Sequence, residues 1–444
     1  MAALGSVGSL TLLKQVTPAA ARVTARAGRL EGLRAGIIPD SGLDQTDMVK
    51  QALREAERQG AVLVLPPGTV LVRDLKHDGA IRMEGLAGSR LACVPGAEHI
   101  LVAAGKTLHL ENVTLDGTGA AGSEHMDGLI SVRSCPDVQI SKCTIIGAPG
   151  NGLHLEGCSG KVENCMISGA GLAGIFSHGG LGMRITGNFI RDCGNNGILV
   201  WQPEKRTDGT VVSQNTIERI RADGGGDGPN GNGINVFRAA NVKVVDNTIR
   251  QCAYSAVRNN SGDSIVISRN DCEDLGEVAI FVEFEFHEAV VSDNLIRNAS
   301  AGISVTNADH GGRVATVTGN LIRNISPRMS SRDVLGYGIS VEEQTAVTGN
   351  VVEDASFCGL WIGWGKYMKT VTATGNILRH CDTGIAISWD ERGGSAIITG
   401  NLIENPRKAA IRGFDHARPV TRDLTLPGAR VPERLIILAN RVVR

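Results

Sequence analysis

The motif Asn-x-Ile, or a near variant, recurs along this chain at Asn112, Asn188, Asn215, Asn247, Asn270, Asn294, Asn320, Asn350, Asn376, Asn401 and Asn440. Cys143 and Cys165 fill the two gaps. About eight or nine residues further on, a Gly or Ala opens an alternating apolar stretch, at Gly152, Gly174, Gly197, Ala256, Ala279, Gly302, Gly359, Gly384 and Ala410. A unit of about 22 to 32 residues cannot bury its own apolar face, so such units stack on one another. In Gly338-Ile339-Ser340-Val341-Glu342 the period is two, which turns Ile339 and Val341 inward and Ser340 and Glu342 outward. Side-chain amides stacked at one tight turn can donate to and accept from the coils on either side. A parallel sheet with one wet face is unusual outside a solenoid. The sequence therefore predicts an all-β fold, a single-stranded right-handed parallel β-helix of about 12 coils.

The repeat assigns the rest of the chain. Asp44 is placed to N-cap a helix over Thr46 to Arg58, with Met48, Ala52, Leu53 and Ala56 on one face and Gly60 as its stop. Strands follow at Ala61 to Leu65 and Thr69 to Val72, joined by Pro66-Pro67-Gly68. This helix would cover the open end of the stack. The expected layout is a leader or flexible tail over 1–42, a cap over 43–75, the β-helix over 76–412, and a looser final coil with a cap over 413–444. Met1 to Val23 reads either as a shortened export leader without a basic start or as a simple tail.

The 45 basic and 46 acidic residues give a net charge of -1, without the positive footprint of a nucleic-acid binder, and no apolar run is long enough to span a bilayer. Cys193, Cys252 and Cys381 share one register, five residues after a ladder position, which suits small buried thiols rather than disulfides. Free thiols sit uneasily with an oxidising compartment.

Several longer motifs are specific as a set. They are Leu65-Pro66-Pro67-Gly68, Asn195-Asn196-Gly197-Ile198-Leu199-Val200-Trp201, Asn232-Gly233-Ile234-Asn235-Val236-Phe237-Arg238, Tyr254-Ser255-Ala256-Val257-Arg258, Gly276-Glu277-Val278-Ala279 and Gly363-Trp364-Gly365. In these the chain, from about Gly42 onward, resembles the twin-arginine-translocated repeat proteins of bacteria, an uncharacterised family in the wider pectate-lyase-like group. The resemblance implies a periplasmic or secreted protein, although the twin-arginine signal itself is missing. It brings no known reaction. Proteins of this fold often form homotrimers, and a trimer is a candidate assembly here.

Insertions fall on both sides of the Gly-initiated strand, which marks its outer face as a walled groove. The two longest precede the strand, around Ala222 to Asn230 and Ser326 to Tyr337. Outward positions between and beside them form two columns. One runs His154, Phe176, Leu199, Asn235, Arg258, Phe281, Ser304, Ser340, Trp361; the other runs Glu156, His178, Trp201, Phe237, Asn260, Glu283, Thr306, Glu342. Extended alternation also puts Glu283, Glu285 and His287 on one face, with Phe284 and Phe286 turned away.

These columns supply the candidate catalytic residues Arg258, Glu283, Glu285, His287 and Glu342. The candidate substrate contacts are Asn235, Asn260, Tyr254, His154, His178, Trp201, Trp361 and Trp364. In one scheme Arg258 neutralises a uronate while His287 or Tyr254 moves the C5 proton, as in lyases and epimerases. In another, Glu283 and Glu342 act as an inverting hydrolytic pair. The outward tryptophans would stack on sugar rings. In the plainer alternative, Arg258 and Glu283 are an exposed ion pair of little consequence, on a solenoid that binds glycan or serves structure without turnover. Fold-level analogy favours a lyase acting on an acidic extracellular or envelope polysaccharide. The Asp-Pro-His-Asp of alginate epimerases and the paired Asp-Asp and Gly-His-Gly of polygalacturonases are absent. No metal site is assigned, although Asp223 to Asn230 carries hard oxygen donors suited to calcium.

Overall fold

The computed structural model describes residues 28–122, 127–226, 228–329 and 334–444. It is a right-handed parallel β-solenoid of about 14 turns with one short α-helix. Each coil contributes one strand to a 16-stranded sheet, which starts at Arg29–Glu31 and ends at Leu435–Leu438. The other two strands of each coil belong to a 28-stranded sheet, because Asp271–Glu283 and Leu295–Val305 run unbroken around the corner between them. A single apolar core runs the length of the stack. No helix among the described residues is long and apolar enough to cross a membrane.

The asparagine turn behaves as the amide chemistry requires. Asn270 is typical: its backbone N–H and its Nδ2 both donate to Asn294 Oδ1 at 3.0 Å, and Nδ2 also donates to the Val244 carbonyl at 3.0 Å. This pattern runs unbroken from Asn188 to Asn440. Asn112 does not belong to it. Thr114 pairs with Thr144 and Thr144 with Met166, so the ladder slot ahead of Cys143 and Cys165 is held by Val113. Asn112 instead takes the left-handed position just before the slot, at φ 55°. Removing a ladder amide strands several buried groups together. Asn294→Ala leaves the Asn270 N–H without an acceptor, its Nδ2 with the Val244 carbonyl alone, and the Ile267 carbonyl without the Asn294 donor. At about 1–3 kcal/mol per orphaned group, urea unfolding should show a loss of roughly 3–5 kcal/mol.

Where a glycine opens the alternating apolar strand of a coil, the next coil lies too close for a side chain. A Cβ on Gly197 would lie 2.5 Å from the Gly233 carbonyl oxygen and 2.6 Å from Ile217 Cγ2. All ten cysteines are buried and free of disulfides.

The cap is close to expectation and differs in detail. The helix is Thr46–Gln59, stopped by Gly60 at φ 61°, and it buries Val49, Ala52, Leu53 and Ala56. Met48 is only partly buried against the core. Gln45, not Asp44, holds the N-cap position, with no side-chain cap; Asp44 Oδ1 accepts from the Thr46 N–H at 2.9 Å. Arg29–Glu31 already pairs with Val62–Leu65, so the stack begins within the segment expected to be a tail. The proposed leader, Met1 to Val23, lies outside the described residues. The last complete coil carries an antiparallel hairpin, Ala409–Asp415 with Arg418–Asp423, ahead of the final strands Leu435–Leu438 and Arg441–Val443.

Candidate functional site

Along the Gly-initiated strands, cross-coil pairing links His154, Phe176, Leu199, Asn235, Arg258, Phe281, Ser304, Ser340 and Trp361 in one outward column. Glu156, His178, Trp201, Phe237, Asn260 and Glu283 form the second. Thr306 and Glu342 continue it just past the strands Leu295–Val305 and Tyr337–Val341. The candidate residues on these columns separate into three groups.

The central group is closed to substrate. Arg258 Nε and Nη2 meet Glu283 Oε1 and Oε2 at 2.7 and 3.1 Å, and Nη1 meets Glu277 Oε2 at 3.3 Å. Asn260 Nδ2 donates to Glu283 Oε1 at 3.1 Å, and the guanidinium lies 4.7 Å from the Phe281 ring centroid. Arg258 is 7 % exposed and Glu283 2 %. This is a buried triad of one cation and two carboxylates. It corrects both the exposed ion pair and the free cation expected for a uronate. Asn235 is also buried, with Nδ2 donating to the Gly228 carbonyl at 3.1 Å. Tyr254 is half-buried beneath the first inserted loop, its N–H donating to the Gly231 carbonyl.

Glu285 and His287 are not on this face. Phe284 takes a left-handed turn at φ 61° and Phe286 goes into the core, so the chain rounds a corner. His287 then opens a strand of the 16-stranded sheet, with its N–H on Asp263 Oδ1 at 2.7 Å. Glu285 is exposed, and its carbonyl accepts from Lys205 Nζ.

The second group lies toward the N-terminal end. The His154, Phe176 and His178 rings stack at 5.0 and 5.3 Å, and Trp201 meets Phe176 edge-on at 5.4 Å. His154 is buried, and its Nε2 has no hydrogen-bond partner among the described residues.

The third group forms a cleft of about 340 Å³ beside the second inserted loop. Val334, Leu335, Tyr337, Trp361, Trp364 and Tyr367 line it together with Phe281, Ser304 and Ser340, and Tyr337 meets Trp361 edge-on at 5.8 Å. Glu342 and Asp309 both open onto it, and Glu277 lines it further along. Glu342 is 8 % exposed and accepts from the Ala308 N–H at 2.7 Å. Burial, reinforced by the charges of Asp309 and Glu343, pushes its carboxyl up from 4.5 to about 7, against the backbone hydrogen bonds of Ala308 and Asn307. Trp361 is wedged between Phe357 at 4.8 Å and Trp364 at 5.2 Å and is 4 % exposed, so it supports the wall more than it offers a face. Trp364 is 37 % exposed.

Sequence reasoning missed Asp309, Tyr367 and Glu277. The short insertion after Val305 and the Trp364-x-x-Tyr367 spacing are the signals that point to the first two. In the candidate calcium loop, the Asp223 carboxylate is engaged by Arg221 at 2.9 Å, and Asp227 lies outside the described residues. At a distant corner Glu353, Asp354 and His380 bring one ligand atom each within 4.8 Å of the others, but Arg379 and Arg407 pair with the carboxylates.

A solenoid of parallel coils with a loop-walled cleft on one face defines the class. The chain belongs to the right-handed β-helix family, whose model matches residues 128–322 and 205–376, together more than half of the sequence. A search of curated proteins finds no significant match. Among solved structures, the pre-mature gene product 12 of bacteriophage phi29 is similar at 14 % identity and a TM-score of 0.49, over 86 % of this chain. The chain spans 65 % of that protein's length. The catalytic unit of an α-1,3-glucanase from Streptomyces thermodiastaticus aligns at 15 % identity and a TM-score of 0.46, covering 97 % of this chain and 71 % of its own. The Streptococcus pneumoniae surface protein and adhesin PfbA aligns at 12 % identity and a TM-score of 0.47, covering 87 % and 99 %. At these identities the likeness concerns the fold alone.

Proposed function

We propose that the protein is a glycoside hydrolase that cleaves a polysaccharide in the Glu342 cleft. The observation that carries this reading is a buried carboxyl, held protonated to about pH 7, in the lining of an aromatic cleft shared with a second carboxylate. A general acid needs such a proton near neutral pH, and glycosidic cleavage needs a second carboxylate as base or nucleophile. Glu342 takes the first role and Asp309 the second.

Glu283, the partner expected from sequence, is turned away to Arg258. None of the described residues lining the cleft is a lysine, arginine or histidine. Elimination from a uronate calls for a cation to neutralise the carboxylate, which this lining does not supply, so it favours hydrolysis at a neutral sugar over the lyase expected from sequence. The resemblance to twin-arginine-translocated repeat proteins supports placing this activity in the periplasm or outside the cell.

The test is a panel of polysaccharides, with and without calcium, followed for new reducing ends and for absorbance of unsaturated uronates. Reducing ends that vanish in Glu342→Gln and Asp309→Asn support the reading. Unsaturated products would replace it with a lyase, and binding without either product would leave a non-catalytic glycan-binding solenoid. Trp364→Ala removes the exposed ring of the cleft. A stacking contact is worth about 1.4 kcal/mol, so KM should rise roughly tenfold with kcat little changed.

A further inference from the structure

The corner at the N-terminal end of the groove carries chemistry that the cleft does not use. Arg133, Glu156, His178, Pro203 and Arg206 line a surface hollow of about 500 Å³. The hollow exists because the strand Asn196–Thr207 loses register between Trp201 and Arg206, which leaves Pro203, Glu204 and Lys205 exposed. Buried Gln202 fixes the excursion: its Oε1 accepts from Arg206 Nε at 2.5 Å, and its Nε2 donates to Asp208 Oδ2 at 2.7 Å. Arg206 Nη2 reaches only the Gly179 carbonyl, at 3.4 Å, and no ion pair among the described residues involves Arg206. Arg133 pairs with Glu156 at 3.1 Å and lies 3.6 Å from Asp127. Two guanidinium groups therefore face the hollow against one lining carboxylate.

His178 belongs to both this hollow and the aromatic stack of His154, Phe176 and Trp201. His178 and Trp201 each keep part of their surface open. An aromatic face beside a guanidinium fork is the pairing that holds a sugar ring by its C–H face and its carboxylate in a bidentate bond.

We propose that this corner is a second glycan site, which anchors an acidic sugar residue of a polysaccharide through Arg133, Arg206, His178 and Trp201. From His178 to Glu342 the outward column takes six coil steps, roughly 29 Å at about 4.8 Å per step, so the two sites cannot share one sugar. The site stands on its own residues and does not depend on hydrolysis in the cleft.

The test is affinity electrophoresis of the full chain through gels carrying polygalacturonate, alginate or hyaluronan, with neutral dextran as the comparison. At least one polyuronate should retard the protein, less so as salt is raised, with dextran having little effect. The Arg133→Gln, Arg206→Gln double variant should weaken that binding tenfold or more, whereas Glu342→Gln should keep it, which separates this site from the cleft. Arg133→Gln alone changes an exposed side chain and should still weaken binding several-fold if loss of Arg206 disturbs the excursion. Absence of retardation by every polyuronate, equal retardation by dextran, or binding unchanged in both arginine variants would overturn the proposal.

Discussion

Glu342→Gln should lower hydrolysis by about 10²- to 10⁴-fold, the usual contribution of a general acid, while making the fold more stable above neutral pH. The second effect follows from where the proton sits. Between 4.5 and about 7 the native carboxyl holds a proton that the unfolded chain has already lost. Stability attributable to this group is therefore fully present below pH 4.5 and falls as pH rises through that window. Above pH 7 the cost of ionising it in place reaches up to about 3 kcal/mol. Glutamine keeps an acceptor for the Ala308 N–H and has nothing to titrate. Urea unfolding at pH 5 and pH 8 should thus show the variant gaining on the native protein only at the higher pH. Parallel pH dependences for the two proteins would mean that Glu342 is not held protonated, and its role as the acid would fall with that.

Arg258→Met should have the opposite character, costing stability rather than chemistry. It leaves Glu283 and Glu277 facing each other in a buried site without the cation that holds both. Breaking such a network by removing one partner costs about 3–5 kcal/mol. The thermal midpoint should drop by several degrees, while the folded fraction keeps its kcat on a neutral glycan. Loss of kcat at unchanged stability would return Arg258 to the catalytic role suggested by its place on the groove. A Glu277→Gln, Glu283→Gln, Arg258→Met variant should recover much of the lost stability, since no uncompensated charge is then left.

The fold was legible because its two periods are written in side-chain chemistry: an amide at one turn and alternating apolar residues on the next strand. Once Gly or Ala marks the first position of a strand, the outward column from His154 to Trp361 follows from the pleat. Asn112 shows the weakness of that reading, since an asparagine suits the left-handed position before the ladder as well as the ladder itself, and the difference is one residue. The site was less legible for a similar reason. Glu283, Glu285 and His287 alternate with two phenylalanines as a strand would, and nothing in Phe284 announces a positive φ. Whether Glu283 points along the groove or back onto Arg258 depends on the side-chain fork across a coil boundary, which spacing does not encode. Asp309 comes from an insertion whose path is set by tertiary packing, so only its presence, and not its approach to Glu342, could be read from the chain.

The cross-coil register also bears on how such a molecule can change over generations. Each turn of the solenoid rests on the turns beside it, and the loops leave at the corners. Duplicating or deleting one whole turn between Arg206 and Glu342 would therefore alter their spacing by a fixed increment of about 4.8 Å and leave the chemistry at both ends intact. The protein in that sense carries a gauge, and gene rearrangement can reset it in discrete notches to match a longer or shorter polymer repeat.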